Sequence, residues 1–121
     1  MSNFGVAFRE RPVTAGPAPV RVLDLSGELD AHTAPDFEAA IEDCLNNQQH
    51  YIVVNGAGLD YISSAGLGVF MAFIEQVREQ GGDIKIAALQ PRVFNVFDLL
   101  GFPVLFDILK TEDEAVSKFT N

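Results

Sequence analysis

The chain has 121 residues, of which 48% are hydrophobic and 21% charged. That is about one domain with enough apolar surface for a core, and it argues against a disordered chain. Eight basic against 17 acidic residues give a net charge of −9, which excludes the basic patches that nucleic acid and anionic membranes require.

No apolar run reaches the roughly 18 residues that a membrane span needs. Met1 to Pro12 carries Arg9, Glu10 and Arg11 and does not read as a signal peptide. A single cysteine, Cys44, rules out an internal disulfide framework and a zinc cluster. These features point to the cytoplasm, to no membrane insertion and to no cofactor. No repeat appears, and Ala15 to Pro19 reads as a short turn between two strands. One domain over residues 1–121 is the expectation.

In chain order, Phe4, Val6 and Phe8 alternate and predict a first strand over Phe4–Arg11. The second runs Val20–Gly27, with Leu23 and Leu25 on one face and Val20, Val22 and Asp24 on the other. Thr33 caps a first helix, with Pro35 in its first turn and Phe37, Ile41, Cys44 and Leu45 at helical spacing. Tyr51–Asn55 is a buried central strand, followed by a flexible Gly56-Ala57-Gly58 loop. The second helix begins near Ser63-Ser64 and ends before Gly81-Gly82, burying Leu67, Phe70, Phe73 or Ile74, and Val77. A strand follows over Ile84–Leu89. The third helix runs Pro91–Leu100, with Val93, Val96, Phe97 and Leu100 inward and Gly101 as its stop. Val104–Ile108 is a last, weak strand. Thr111 and Glu114 form a capping box for a fourth helix that ends near Phe119.

Helix-linked strands imply right-handed parallel crossovers, while the opening pair is antiparallel. The expected fold is α/β: a mixed, mostly parallel sheet of four to five strands with about four helices mainly on one face. Val20 and Val22 are expected to be covered by the N-terminal strand. Phe94, Phe102 and Pro103 favour core or satellite packing over an interface.

Catalytic signatures are missing. No GxSxG elbow, GxxxxGK[ST] loop or GxGxxG occurs. A phospho-receiver domain fits the topology but wants clustered aspartates at strand ends, and Asn55 stands at the end of the third strand. His50 reads as an exposed loop residue, and His32 as a loop residue before a helix.

One segment, Leu59 to Gly68, joins a buried strand to an apolar helix and puts two hydroxyls, Ser63 and Ser64, at the helix start. The plain structural account is that one serine caps the helix, worth about 1 kcal/mol, while Ala65 and Gly66 allow close packing. The functional account uses the same free N–H groups and positive field, which tolerate a phosphate. A phosphate adds about −1.5 to −2 charges to the surface, and can expel a docked partner without altering the fold.

Leu25 to Asp30, Thr33-Ala34, Ile52 to Asn55, Tyr61 to Gly68, Gly81-Gly82 and Val96 to Gly101 together resemble the STAS domain. More narrowly, they resemble the stand-alone bacterial anti-sigma factor antagonists, over residues 4–119. The resemblance implies a binding protein rather than an enzyme. Unphosphorylated, it sequesters an anti-sigma factor that is also a serine kinase, which frees a sigma factor for transcription. The kinase phosphorylates the antagonist and weakens the complex, and a metal-dependent serine phosphatase restores it. Ser64 matches the family's acceptor, and Ser63 is the secondary candidate. Ser63 stands where the family carries aspartate, and Ala65 where it carries a second hydroxyl residue. The resemblance places the partner surface at Ser63, Ser64, Ala65 and Gly66 and in the loop of Asp30, Ala31, His32 and Thr33. Asp30 is read equally as a salt-bridge partner for a basic group and as a turn or capping residue. Two other readings stay open: a regulatory subunit of a membrane transport system, and a small-molecule or nucleotide sensor.

Overall fold

The protein is described by a computed structural model over residues 3–13 and 18–119. Most of the expected Ala15–Pro19 turn therefore lies outside the described residues. The strands that flank it are β1 (Gly5–Arg11) and β2 (Val20–Leu29), which pair antiparallel from Gly5 opposite Ser26 to Arg11 opposite Val20. The chain continues through α1 (Ala34–Asn46), β3 (Tyr51–Ile62), α2 (Ser64–Glu79), β4 (Asp83–Ala87), α3 (Pro91–Leu99), α4 (Phe102–Leu105), β5 (Ile108–Leu109) and α5 (Glu112–Ser117). One five-stranded sheet results, in the order β1-β2-β3-β4-β5, and every pair after the first is parallel.

Alternation along β2 assigns its two faces as the sequence implies. Leu23 and Leu25 join the larger core with Phe37, Ile41, Phe70, Ile74, Val93 and Phe97. Aromatic rings organise this core. Phe70 meets Phe37, Phe97, Phe102 and Phe106 edge to face, with centroids 5.0–6.2 Å apart, the arrangement that ring quadrupoles favour. Val20 and Val22 face the other way and pack with Val53, Ala87, Ala115 and Val116. The cover on that face is thus α5 rather than the N-terminal strand: β1 lies beside β2 in the same sheet and cannot cover it.

Other expectations are corrected. β3 does not end at Asn55 but runs on through Gly56, Ala57 and Gly58 to Ile62. The extra residues are absorbed where the β2–β3 register shifts between Asp24 and Ser26 and again between Gly27 and Glu28, as bulges do. Glycine suits this stretch: a Cβ on Gly56 would come within 2.5 Å of Leu89 Cδ2, and one on Gly58 within 3.1 Å of the Leu25 carbonyl oxygen. β2 likewise continues to Leu29. Of the expected strand at Val104–Ile108, Val104 and Leu105 belong to the short helix α4, with Pro103 in its first turn, Phe106 and Asp107 lie in neither helix nor strand, and only Ile108–Leu109 pair with β4.

Leu100 is 57% exposed instead of inward-facing, because α3 ends at Leu99 and Gly101 turns the chain at φ 78°. Phe102 is buried, Phe94 half-buried and Pro103 exposed. His50 is half-buried rather than an exposed loop residue. Its carbonyl accepts the Asp83 N–H at 3.0 Å, and Gly82 lies against it.

Candidate functional site

The parallel pairing of β2 and β3 puts Leu29 opposite Ile62, so residues 30 and 63 leave the sheet side by side. The Ser63 N–H donates to the Leu29 carbonyl at 2.9 Å and ties the start of α2 to the end of β2. Crevices at the carboxyl ends of parallel strands are where open α/β sheets hold their ligands. The two segments singled out in the sequence, the loop ending at Thr33 and the helix start at Ser63, meet at this one edge.

The two serines differ in environment. Ser63 is the N-cap of α2 in extended conformation (φ −101°, ψ 174°), but its hydroxyl makes no capping bond. Its Oγ is sealed from solvent and has no hydrogen-bond partner among the described residues. The expected capping serine is therefore a cap by position only. Ser64 is the first residue of the helix and is exposed. The N–H groups of a first helical turn have no partner within the helix, so a group carried by Ser64 stands at a positive, donor-rich end.

Ala65 is half-buried and Gly66 buried. A Cβ on Gly66 would fall 2.7 Å from Leu29 Cγ and 2.9 Å from Ile62 Cγ1. The glycine lets the first turn of α2 press onto the ends of both strands, which is the close packing its sequence suggests.

The second segment is a turn held by its own polar groups. Asp30 Oδ1 accepts from the N–H groups of His32 at 2.9 Å and Thr33 at 3.1 Å. Thr33 Oγ1 donates to the Glu28 carbonyl at 2.8 Å and accepts from the Asp30 N–H at 3.0 Å. Thr33 is the positional N-cap of α1 but makes no side-chain cap bond, because its hydroxyl is committed to this turn. Of the two readings of Asp30, the turn role is the one these bonds describe. Thr33 is only 6% exposed, which leaves Ala31 and His32 as the exposed residues of the loop.

Sequence reasoning missed the neighbours that the longer β3 supplies. Tyr61 is 51% exposed two residues before Ser63. Asp60 accepts from Gln90 Nε2 at 3.2 Å and lies 3.6 Å from Arg92 NH2, which links the strand end to the start of α3. An aromatic residue out of step with the β3 alternation was the available signal, and it becomes readable only once the bulges are known.

Among the described residues no group of three or more His, Cys, Asp or Glu side chains is placed to hold a metal ion. Cys44 is fully buried, and burial pushes its pKa up to about 11, so it is a neutral thiol inside the core. No helix of the described residues is long and apolar enough to cross a membrane.

A family model for the STAS domain matches residues 11–115. The anti-sigma-B factor antagonist of Bacillus subtilis (strain 168) is 30% identical over 94 residues, which cover 78% of this chain and 85% of that protein. The anti-sigma F factor antagonist of Paenibacillus polymyxa is 29% identical over 102 residues, 84% of this chain and 85% of that protein. Among solved structures, the anti-sigma factor antagonist SpoIIAA in its unphosphorylated form superposes with a TM-score of 0.72 at 26% identity, covering 93% of this chain and 95% of that one. SpoIIAA of Bacillus in the phosphorylated form matches with a TM-score of 0.65 at 25% identity, covering 93% and 98%.

Proposed function

We propose that this chain, which belongs to the STAS domain family, is an anti-sigma factor antagonist whose docking is switched by phosphorylation of Ser64. Relatives of nearly the same length that carry this name support the first half of the reading. One observation carries the second: of two adjacent hydroxyls at the start of α2, that of Ser63 is sealed and that of Ser64 is open to a modifying enzyme. The protein is then a regulatory binding module of the cytoplasm and not an enzyme.

Unphosphorylated, the strand-end edge around Ser64, Ala65 and the exposed His32 docks on an anti-sigma factor, and the sigma factor is released to transcription. The partner acts as a serine kinase. The γ-phosphoryl group of ATP passes to Ser64 Oγ, ADP departs and the hydroxyl proton is lost. A serine phosphatase reverses the step with water and liberates inorganic phosphate. The phosphate adds about −1.5 to −2 charges at a helix start that tolerates an anion. The fold stays as it is while the docked face changes. Gly66 and Thr33 serve by shaping this edge. Control of a membrane transport system is the competing class, and antagonist relatives matched over most of their length favour the anti-sigma reading.

The test uses each anti-sigma factor kinase encoded in the same genome, purified and incubated with ATP. Wild-type protein is expected to gain one phosphate that maps to Ser64 and to lose binding. Ser64→Ala is expected to take up no phosphate and to bind constitutively. Stoichiometric phosphorylation of Ser64→Ala at another residue, or unchanged binding by the phosphorylated wild type, would overturn the assignment.

A further inference from the structure

β1 is the outermost strand of the sheet. Its inner side pairs with β2 from Gly5 to Arg11. Alternate residues turn an N–H and a C=O outward, where no strand among the described residues receives them. Such an edge is a template for another chain unless charge or a cover blunts it. The second half of β1 is blunted: Arg9, Glu10 and Arg11 are charged and held in ion pairs with Asp24, Arg21 and Glu112. The first half, Gly5-Val6-Ala7-Phe8, carries no charge, and Phe8 is 42% exposed.

Beside this unblunted half lies a groove of about 440 Å³ with β1 as one wall and α1 as the other. Phe4, Val6 and Phe8 line it from the strand side, three residues of one face. From α1 come Ala39 and Ala40, whose small side chains leave the groove open, with Asp36 at one end and Asp43 at the other. The helix carries four acidic residues and no basic one. The cation at the groove, Arg21, is already placed over the Phe8 ring and near Glu10 and Asp43. Asp36 is exposed and meets no basic side chain among the described residues.

Three properties of the groove agree on its occupant. Outward backbone groups call for an extended chain, which presents N–H and C=O at the matching repeat. The apolar floor takes a side chain from one face of that chain, and the acids take basic side chains from the same face. Asp36 and Asp43 are seven residues apart, about 10 Å along the helix. Alternate residues of a strand are about 7 Å apart, so an apolar residue with a basic one two positions to either side fits this spacing. A second copy fits badly, because pairing β1 with β1 would bring together two chains of net charge −9 and their two acidic helices.

We propose that the groove between β1 and α1 binds an extended segment of a partner protein, basic-x-apolar-x-basic in pattern, which adds to the sheet as a sixth strand. The site lies on the flank of the sheet and does not rest on the reading of Ser64 as the switch.

The experiment is NMR titration of the full chain with three capped seven-residue peptides. The first has valine at its centre, lysine two residues to either side and threonine elsewhere. The second has glutamate for lysine, and the third keeps lysine but is N-methylated at alternate amides. The first is expected to bind at least about tenfold tighter than the other two, with shifted and slowly exchanging amides at Gly5 to Phe8. Ala39→Gln, at an exposed helical position that tolerates glutamine, is expected to keep Tm and to weaken binding at least about fivefold. Asp36→Asn is expected to weaken it about two- to fivefold. Unshifted β1 amides at about 5 mM of the first peptide, or equal binding of the glutamate or the N-methylated peptide, overturns the proposal. Shifts confined to Ser64 and His32 overturn it too, as does self-association of the free protein that protects Gly5 to Phe8. None of these results bears on whether a kinase modifies Ser64, so the two readings fail separately.

Discussion

The two faces of the sheet are held by different forces. On one, α1, α2 and α3 cover a broad apolar layer centred on Phe70, whose ring touches four other phenylalanines. On the other, the six-residue helix α5 supplies Ala115 and Val116 over Val20, Val22 and Val53. So small an apolar contact is supplemented by charge. Glu112, in the first turn of α5, pairs with Arg9 NH2 at 2.5 Å and with Arg11 NH1 at 2.8 Å, both from β1, and accepts from Asn55 Nδ2 of β3 at 3.0 Å. Arg9 is held in turn by Asp24 of β2. Burial of apolar area is largely indifferent to pH, whereas a carboxylate clamp is not. The faces should therefore fail under different conditions and to different extents.

The largest effect is expected where apolar burial acts alone. Phe70→Ala removes the ring that joins Phe37 of α1 to Phe97 of α3 and to Phe102 and Phe106 beyond it. Deleting a fully buried phenylalanine leaves a cavity and costs about 3–5 kcal/mol. Urea unfolding at neutral pH should show the loss as a lower midpoint, of similar size at pH 7 and pH 4. A cost below about 1 kcal/mol would mean that the aromatic cluster repacks, and the contrast between the faces would vanish.

A smaller and pH-dependent effect is expected on the other face. The bonds from Arg9, helped by Arg11 and Asn55, outweigh burial and hold the Glu112 pKa at about 2 instead of 4.5. A carboxyl whose folded pKa is depressed stabilises the fold fully above its ordinary pKa, and that contribution is lost as pH falls through the folded value. Asp107, held low by its bond from Lys85, acts in the same direction. Wild-type stability should therefore decline between about pH 4.5 and pH 2. Glu112→Gln should cost about 1–2 kcal/mol at pH 7, since the arginines are partly solvated, and its acid limb should be shallower while the slope from Asp107 persists. Amide exchange should speed up in α5 before it does in α2. Parallel acid limbs for the two proteins would show that Glu112 does not hold this helix.

How far these features can be read from the sequence follows from the range of the forces involved. The alternation in β2 separates Leu23 and Leu25 from Val20 and Val22 with no knowledge of the fold, because side-chain direction is a local property of a strand. The capping box is equally local, and the structure forms it: Thr111 Oγ1 accepts from the Glu114 N–H at 3.1 Å. The meeting of Ser64 with the Asp30 loop follows from parallel pairing, a consequence of topology that helix-linked strands make legible. The length of β3 does not follow, since Gly56 and Gly58 look like chain breakers until the bulges against β2 are seen. Val104 reads as a strand residue because it is β-branched, but Pro103 and the turn at Gly101 decide for α4. Glu112 was beyond sequence reasoning for a further reason: its partners Arg9 and Arg11 are about a hundred positions away, and nothing local to either end marks the pair.

The smallest effect is expected at the strand-end edge, where neither face depends on the residue changed. Ser64 is exposed, and no hydrogen bond of its hydroxyl occurs among the described residues. Alanine is also the better helix former. Ser64→Ala should therefore shift unfolding free energy by no more than about 0.5 kcal/mol at pH 7, the usual range for a surface change, with the acid limb unaltered. Urea unfolding beside the Phe70 and Glu112 variants puts all three on one scale. A residue whose side chain the fold does not use is free to be modified without risk to the fold, which is the condition a reversible phosphate switch requires. A loss of 2 kcal/mol or more in Ser64→Ala would show the hydroxyl to be structural. Each cycle of modification would then strain the protein itself, and the separation between a scaffold held by its two faces and an edge left open for partners would fail.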